Sequence, residues 1–212
     1  MVKMTDDFEV HGIFPMPIYV SDGFLLDDKV KDRLINESFD RPLTNFGGNK
    51  TSQNHNLLEE DYLSDLKNHI QKHINIFGYE FFKITNDIQF YITQSWCNFN
   101  SKGQAHHLHK HSNSFFSGTY YIKGETPITF RKDIESFQNF EFDFTESNSF
   151  NSSNCHIPIK EGRIILFPSV LSHFVEENRF DTQRVSLSFN CFFNGEPKIN
   201  ENNLSYLNLS RG

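Results

Sequence analysis

The sequence predicts an α+β fold, in which N-terminal helices pack on one sheet of a two-sheet antiparallel jelly roll. Three observations support this prediction. Apolar residues recur at helical spacing in the part of the chain before Gly78, and short apolar runs separated by turn signals follow it. The 212 residues include 24 phenylalanines and a single alanine, a composition that suits a β-rich core better than closely packed helices. No internal repeat is visible, so residues 1–212 are expected to form a single domain.

Two helices are expected in the first part of the chain. Residues 8–20 contain two prolines and predict an edge strand at best. Helical spacing predicts a first helix at about 27–38. A longer apolar stripe predicts a second helix over 59–78, which its terminal glycine ends. The polar residues 41–56 are expected to form a loop, so 1–85 is predicted to hold an N-terminal strand and supporting helices.

The remainder of the chain is expected to form strands. The candidate strands are 88–99, 115–123, 128–130, 157–159, 163–168, 172–176 and 184–193. A polar segment between Lys132 and Cys155 matches no element, and loops of that length are often functional. Residues 86–193 are therefore predicted to form the jelly-roll core, whose mouth is a common place for a ligand site. Residues 194–212 are predicted to form a C-terminal tail.

Charge and composition limit the classes of function. The net charge of −7, without a run of Lys or Arg, argues against nucleic-acid binding. The apolar runs are too short for a membrane helix, and the N-terminus lacks the apolar core of a signal peptide. Cys97, Cys155 and Cys191 form no C-x-x-C pair and favour reduced thiols. A cytoplasmic protein is therefore expected.

Four of the ten histidines lie within six residues, at 106, 107, 109 and 111. Imidazole is the commonest metal-ligating side chain. Because residues two apart in an extended backbone share a face, His107, His109 and His111 are expected on one face and His106 on the other. Two adjacent members of this row could bind one metal ion, with His173 as the third ligand. The pair could be His107 and His109 or His109 and His111.

A second feature is the pair Arg184 and Ser186, which opens the last core strand eleven residues after His173. The two side chains share a face because they are two apart on one strand. A 2-oxo-acid co-substrate chelates a metal at one end and needs a cation for its far carboxylate, and a guanidinium matches a carboxylate bidentately. A metal with open positions beside such a pair favours metal-assisted oxygenation.

With these motifs the sequence resembles the Fe(II)- and 2-oxoglutarate-dependent dioxygenases, in particular a small subgroup common in marine bacteria and in phages of cyanobacteria. The resemblance covers about 86–193. The residues that carry it are 95–98, 109–114, 117–121, 162–169, His173 and 184–190.

The resemblance implies a double-stranded β-helix fold and oxidative decarboxylation of 2-oxoglutarate, coupled through O2 to hydroxylation of a substrate. The implied site residues are His109, His111 and His173 as Fe(II) ligands, with Arg184 and Ser186 holding the far carboxylate of the co-substrate. Tyr121 and Asn98 are further candidates to bind the co-substrate, and Trp96 is a pocket candidate. The usual pattern of the superfamily is His-x-Asp/Glu, and here His109-x-His111 stands in its place. That change makes the metal site more positive and leaves open whether a carboxylate also binds the metal.

Two other functions fit the same motifs. One is a non-catalytic or zinc-binding jelly-roll protein, and the other is a three-histidine dioxygenase of cupin type that does not use 2-oxoglutarate. Arg184 favours the 2-oxoglutarate-dependent dioxygenase over the zinc-binding protein, since a structural zinc site needs no cation for a carboxylate. The substrate is expected to be a protein side chain or a small molecule, with prolyl hydroxylation as the nearest analogy.

Overall fold

The computed structural model describes residues 9, 11–12, 15–132, 143–197 and 209. The helical elements are α1 (Asp28–Phe39), two 3-10 turns (Leu57–Glu59 and Asp61–Leu63), α2 (Ser64–Asn75) and a π-helical turn (Ile76–Phe81). The strands are β1 (Tyr19–Ser21), β2 (Leu43–Thr44), β3 (Lys50–Thr51), β4 (Gln89–Asn100), β5 (His106–His109), β6 (Phe116–Lys123), β7 (Ile128–Arg131), β8 (Asn154–Ile157), β9 (Ile164–Pro168), β10 (His173–Val175) and β11 (Arg184–Asn194). Within these ranges, no helix has the length and apolar character needed to cross a membrane.

The strands form two antiparallel sheets. One has seven strands in the order β1-β9-β6-β11-β4-β3-β2, and the other has four in the order β5-β10-β7-β8. The longest pairing joins β4 to β11, with Arg184 opposite Asn100 and Asn194 opposite Gln89. Both helices contact the seven-stranded sheet at β4. The predicted α+β jelly roll with helices packed on one sheet is therefore confirmed.

The seven-stranded sheet has one apolar face and one largely polar face, because side chains alternate along each strand. On β11, Val185, Leu187 and Phe189 belong to a buried cluster with Leu66 and Ile70 of α2. The residues that alternate with them on β11 are Arg184, Ser186 and Ser188, and their partners on β4 are Asn100, Asn98 and Trp96. The helices cover the apolar face, so the polar face is turned toward the four-stranded sheet.

A smaller apolar cluster occupies part of the space between the sheets. Its buried members are Tyr121, Ile128, Phe130, Ile165 and Phe167, from β6, β7 and β9. This cluster holds the sheets together on one side. The rest of the space between the sheets is a cleft lined by both polar and apolar residues, the polar ones being more numerous.

The second helical segment continues past Gly78, where the sequence predicted its end. The π-helical turn contains Gly78, and the amide of Phe82 donates to the carbonyl of Phe77 (3.1 Å). A Cβ atom at Gly78 would lie 2.3 Å from Cε2 of Phe90. The glycine therefore permits close packing of the helix on β4 rather than ending the helix.

Two other boundaries also differ from the prediction. The segment 41–56, predicted as a loop, contains the paired strands β2 and β3, which extend the large sheet beyond β4. The strand predicted at 157–159 lies at 154–157, because its register is set by pairing with β7. Residues 133–142 of the unassigned segment, and the tail apart from 194–197 and 209, lie outside the described residues.

Candidate active site

Three imidazoles meet where β5 and β10 run side by side. His109 ends β5, His173 begins β10 directly opposite it, and His111 follows two residues after His109. One ligand nitrogen from each of the three lies within 4.8 Å of the other two. The Nε2 atoms of His111 and His173 are 3.3 Å apart. Spacing this close suits three ligands of one metal ion.

Hydrogen bonds to backbone carbonyls determine which ring nitrogen of His109 and of His173 is free to bind a metal. Nδ1 of His109 lies 2.8 Å from the carbonyl oxygen of His107, and Nδ1 of His173 lies 3.0 Å from that of Leu171. A carbonyl only accepts, so each Nδ1 carries the proton and donates it. Nε2 is then left with a free lone pair, as a metal ligand requires.

Burial keeps these imidazoles neutral. Desolvation, helped by the neighbouring His109, lowers the pKa of His173 to about 3 and that of His111 to about 4. Desolvation also lowers the pKa of His109. All three are therefore uncharged at neutral pH, which is the form that binds metal ions.

His106, and not His107, shares the cleft with these three residues. His109 lies opposite His173, and His106 lies opposite Val175. An interval of three residues on β5 is therefore paired with an interval of two residues on β10. This β-bulge breaks the alternation of side chains. The ring of His106 lines the cleft and stacks on His109, whereas His107 is exposed. The prediction that His107, His109 and His111 share one face, with His106 opposite, is therefore wrong.

Within the described residues, the group that could hold a metal consists of His109, His111 and His173, and it includes no carboxylate. His111 is held by its backbone amide, which donates to the carbonyl of Ser169 (3.1 Å). The structure thus brings together the pair His109 and His111, the second of the two pairings that the sequence left open.

Arg184 lines the same cleft as the three histidines and is 2% exposed. Its Nε donates to the carbonyl of Thr126 (3.1 Å), and its Nη1 donates to Oγ of Ser186 (3.2 Å). Burial lowers the pKa of Arg184. No carboxylate pairs with this guanidinium among the described residues. Because a buried charge is costly unless it is paired, this guanidinium is suited to bind the carboxylate of a ligand.

The two remaining predicted site residues, Tyr121 and Asn98, differ in whether a polar group is free to bind a ligand. The guanidinium carbon of Arg184 lies 5.2 Å from the centre of the Tyr121 ring. The Tyr121 hydroxyl is buried and has no described residue at hydrogen-bonding geometry; burial raises its pKa, and the nearby Arg184 guanidinium opposes that rise. Asn98 is engaged: it accepts from Thr51 (3.2 Å) and donates to Ser188 (3.0 Å). Tyr121 is therefore the one with an unsatisfied group to offer a ligand.

The cleft also contains residues that the sequence reasoning missed. Thr119 and Ser188 line it, and Thr126 holds Arg184. The alternation on β11 that placed Arg184 and Ser186 on one face could also have found Ser188. Thr126 acts through its backbone carbonyl, for which the sequence carries no signal. Trp96, a predicted pocket residue, lines the cleft with its ring centroid 5.7 Å from that of His111.

Comparisons with known proteins agree with this geometry. Residues 94–190, just under half of the chain, match the model of a family described as "Putative 2OG-Fe(II) oxygenase". No curated relative matches the sequence.

Several solved structures share the fold at low sequence identity. A prolyl-4-hydroxylase from Pseudomonas putida has a TM-score of 0.56 at 11% identity, over 82% of this chain and 92% of that one. HygX from Streptomyces hygroscopicus, solved with nickel, 2-oxoglutarate and hygromycin B bound, has a TM-score of 0.54 at 11% identity, over 83% and 82%. SnoK, a non-haem α-ketoglutarate-dependent carbocyclase from nogalamycin biosynthesis, has a TM-score of 0.61 at 10% identity, over 93% and 90%.

The family match at 94–190 includes His109, His111, His173 and Arg184. The solved structures are similar to this chain in fold. The resemblance to the dioxygenase superfamily and the double-stranded β-helix are thus confirmed. Residues 94–190 of this chain are therefore similar to the family described as "Putative 2OG-Fe(II) oxygenase".

Proposed function

We propose that the protein is a non-haem Fe(II)- and 2-oxoglutarate-dependent oxygenase that hydroxylates its substrate. One observation carries the proposal. A single cleft joins three neutral imidazoles to a buried guanidinium that has no anionic partner among the described residues. A co-substrate that binds a metal at one end and carries a carboxylate at the other satisfies both features of this cleft.

The residues present fit both groups. His109, His111 and His173 would hold Fe(II) through neutral nitrogens, and imidazole suits iron. Arg184, Ser186 and the unpaired Tyr121 hydroxyl would bind the far carboxylate of 2-oxoglutarate. Together, bound Fe(II) and 2-oxoglutarate would supply activation of O2 coupled to decarboxylation of 2-oxoglutarate to succinate.

The charge balance of the cleft favours a dianion. Three neutral ligands leave the charge of a divalent metal uncompensated, and Arg184 adds a further positive charge. In a partly desolvated site this attraction is stronger than in water. The protein's part is to hold the two ends of the co-substrate, with the Nδ1 hydrogen bonds of His109 and His173 keeping those rings in orientation.

Hydroxylation, rather than another oxidative outcome, is the finer part of the proposal. The similar folds include a prolyl-4-hydroxylase but also a carbocyclase. Insertion of oxygen into a C–H bond of a protein side chain or a small molecule is the outcome we propose. Mass spectrometry of the product, with a gain of one oxygen atom traced to 18O2, identifies it.

An anaerobic titration of Fe(II)-loaded protein with 2-oxoglutarate tests the co-substrate. We expect the weak visible charge-transfer band of the chelate in the wild type, and no band in His109→Ala or His173→Ala, which lose the metal. Arg184→Ala keeps stoichiometric iron but binds 2-oxoglutarate roughly 100-fold more weakly, because a charge-assisted bidentate interaction is lost. Iron-loaded wild type that neither binds nor consumes 2-oxoglutarate would overturn the proposal.

A second candidate follows from the lack of a carboxylate in the described metal group. A three-histidine dioxygenase of cupin type binds its substrate directly and turns over without 2-oxoglutarate. The unpaired Arg184 in the cleft favours the first candidate. Oxygen uptake with candidate substrates in the absence of 2-oxoglutarate separates the two.

A further inference from the structure

We infer that Asn178 is a positioning residue, which acts through Thr126 to hold Arg184 in the orientation that binds the co-substrate. Asn178 lies in the connection between β10 and β11, five residues after His173 and six before Arg184, and is 1% exposed. The inference rests on the proposed function, and it concerns a residue outside the cleft.

Both ends of the Asn178 amide are engaged. Its Oδ1 accepts from Oγ1 of Thr126 (2.8 Å) and from the amide of Phe180 (3.2 Å). Its Nδ2 donates to the carbonyls of Asn100 and Thr182, both at 2.9 Å. One buried side chain thus joins the end of β4, the loop before β7 and the loop before β11.

The backbone of Asn178 extends the same junction to the turn before β5. Its amide donates to the carbonyl of Gln104 (2.9 Å), and its carbonyl accepts from the amide of Gly103 (2.8 Å). Every polar group of the residue is therefore used. A satisfied buried network of this kind makes local geometry rigid.

Thr126 connects this junction to the site. Its hydroxyl donates to Asn178, while its carbonyl accepts from Nε of Arg184 (3.1 Å). The loop that carries it is packed directly on that arginine, since a Cβ atom at Gly124 would lie 2.7 Å from Cα of Arg184. A displacement of Thr126 therefore moves the acceptor that fixes the guanidinium.

The orientation of a guanidinium matters more than its presence. Bidentate binding of a carboxylate requires the plane of the guanidinium to face the two oxygens. A long side chain has many rotamers, and each unfixed torsion costs affinity when the ligand binds. Asn178 removes part of that cost before the co-substrate arrives.

The test compares two threonine-to-valine variants of the full chain. Thr126→Val deletes the hydroxyl bonded to Asn178 but keeps the carbonyl bonded to Arg184. Thr129→Val, the matched control, deletes an equally buried hydroxyl whose partner is Nδ1 of His156 (2.9 Å), with no bond toward Arg184. The readouts are the dissociation constants of Fe(II) and, anaerobically, of 2-oxoglutarate, together with the melting temperature.

We expect Thr126→Val to raise the dissociation constant of 2-oxoglutarate roughly tenfold, the effect of about one hydrogen bond, and to leave that of Fe(II) unchanged. In turnover the KM for 2-oxoglutarate rises while kcat at saturation stays near the wild-type value. Thr129→Val lowers the melting temperature but not the affinity for 2-oxoglutarate. In an Arg184→Ala background, Thr126→Val has no further effect, because it acts through Arg184.

Unchanged 2-oxoglutarate affinity in Thr126→Val, or an equal loss in both valine variants, overturns the inference and leaves the proposed function intact. Wild type that binds Fe(II) but not 2-oxoglutarate overturns both. Asn178→Ala is expected to weaken the binding of 2-oxoglutarate at least as much as Thr126→Val does. If that variant does not fold, the pair of valine variants still decides.

Discussion

The rings of His106 and His109 stack with their centroids 4.6 Å apart and their planes at 21°, although the residues are three apart on one strand. Regular alternation would place them on opposite faces. The bulge in β5 accounts for the contact, and it turns His107 away from the cleft. Which histidines face the cleft therefore depends on one extra residue in a four-residue strand.

Exchange of His107 and His111 for alanine distinguishes the two possible ligand pairs. His107→Ala is expected to bind one metal ion with wild-type affinity, because its exposed ring is lost while its carbonyl, the acceptor for His109, remains. His111→Ala is expected to lose more than about 100-fold in affinity. Titration with Co(II), followed by metal analysis after desalting, measures both. Loss of metal in His107→Ala with retention in His111→Ala would reverse the assignment.

The single tryptophan of the chain should report metal binding. Trp96 lies beside His111, with ring centroids 5.7 Å apart. Co(II) is paramagnetic and absorbs visible light, so its binding is expected to quench the emission of Trp96 stoichiometrically. Zn(II), which has a filled d shell, should quench far less at the same occupancy. Full Co(II) occupancy with unchanged emission would show that the metal is not at these histidines, and His111→Ala provides the baseline.

Acid should destabilise the metal-free protein in a defined pH range. The folded-state pKa of His173, about 3, lies below its ordinary value of 6.5 because the ring is buried. Protonation therefore favours the unfolded state, and the stability present above pH 6.5 falls as the pH drops toward 3. Between pH 7 and 5 this residue accounts for up to about 2 kcal/mol.

Thermal melts of the metal-free protein at pH 7 and 5 measure that effect. His173→Gln, which cannot titrate, should show a smaller difference between the two pH values than the wild type. An equal difference in both proteins would assign the acid sensitivity to other groups.

Gly118 should not tolerate alanine. A Cβ atom there would lie 2.4 Å from Cζ of Phe189 and 2.5 Å from Cδ2 of Leu166, both in the core beneath the helices. Gly118→Ala is expected to lower the free energy of unfolding by about 1–3 kcal/mol through overpacking, as measured by urea denaturation. Gly12→Ala, where a Cβ meets nothing within 4 Å, is the control and should match the wild type.

The local patterns of the sequence predicted most of the elements. Helical spacing located α1, and strand β11 begins at Arg184 as expected. Alternation was sufficient to place Arg184 and Ser186 together, and their side chains are hydrogen-bonded.

Features that depend on pairing between distant segments were not visible in the sequence. The bulge in β5 exists only relative to β10, and the limits of β8 exist only relative to β7. The role of Gly78 is another such feature. This glycine makes room for the ring of Phe90, which lies on a strand twelve residues later, so the local sequence indicates only a helix end. The metal-ligand roles and the marine or phage subgroup stay predictions.

The separation of apolar and polar residues onto opposite faces of the large sheet has an evolutionary consequence. Most of the buried hydrocarbon lies between this sheet and the helices, on the far side from the cleft. Exchanges among the polar residues of the cleft wall leave that interior untouched, so their cost is confined to the hydrogen bonds of the wall itself. The lining of the cleft can therefore diverge between related sequences without a change in the packing of the helices on the sheet.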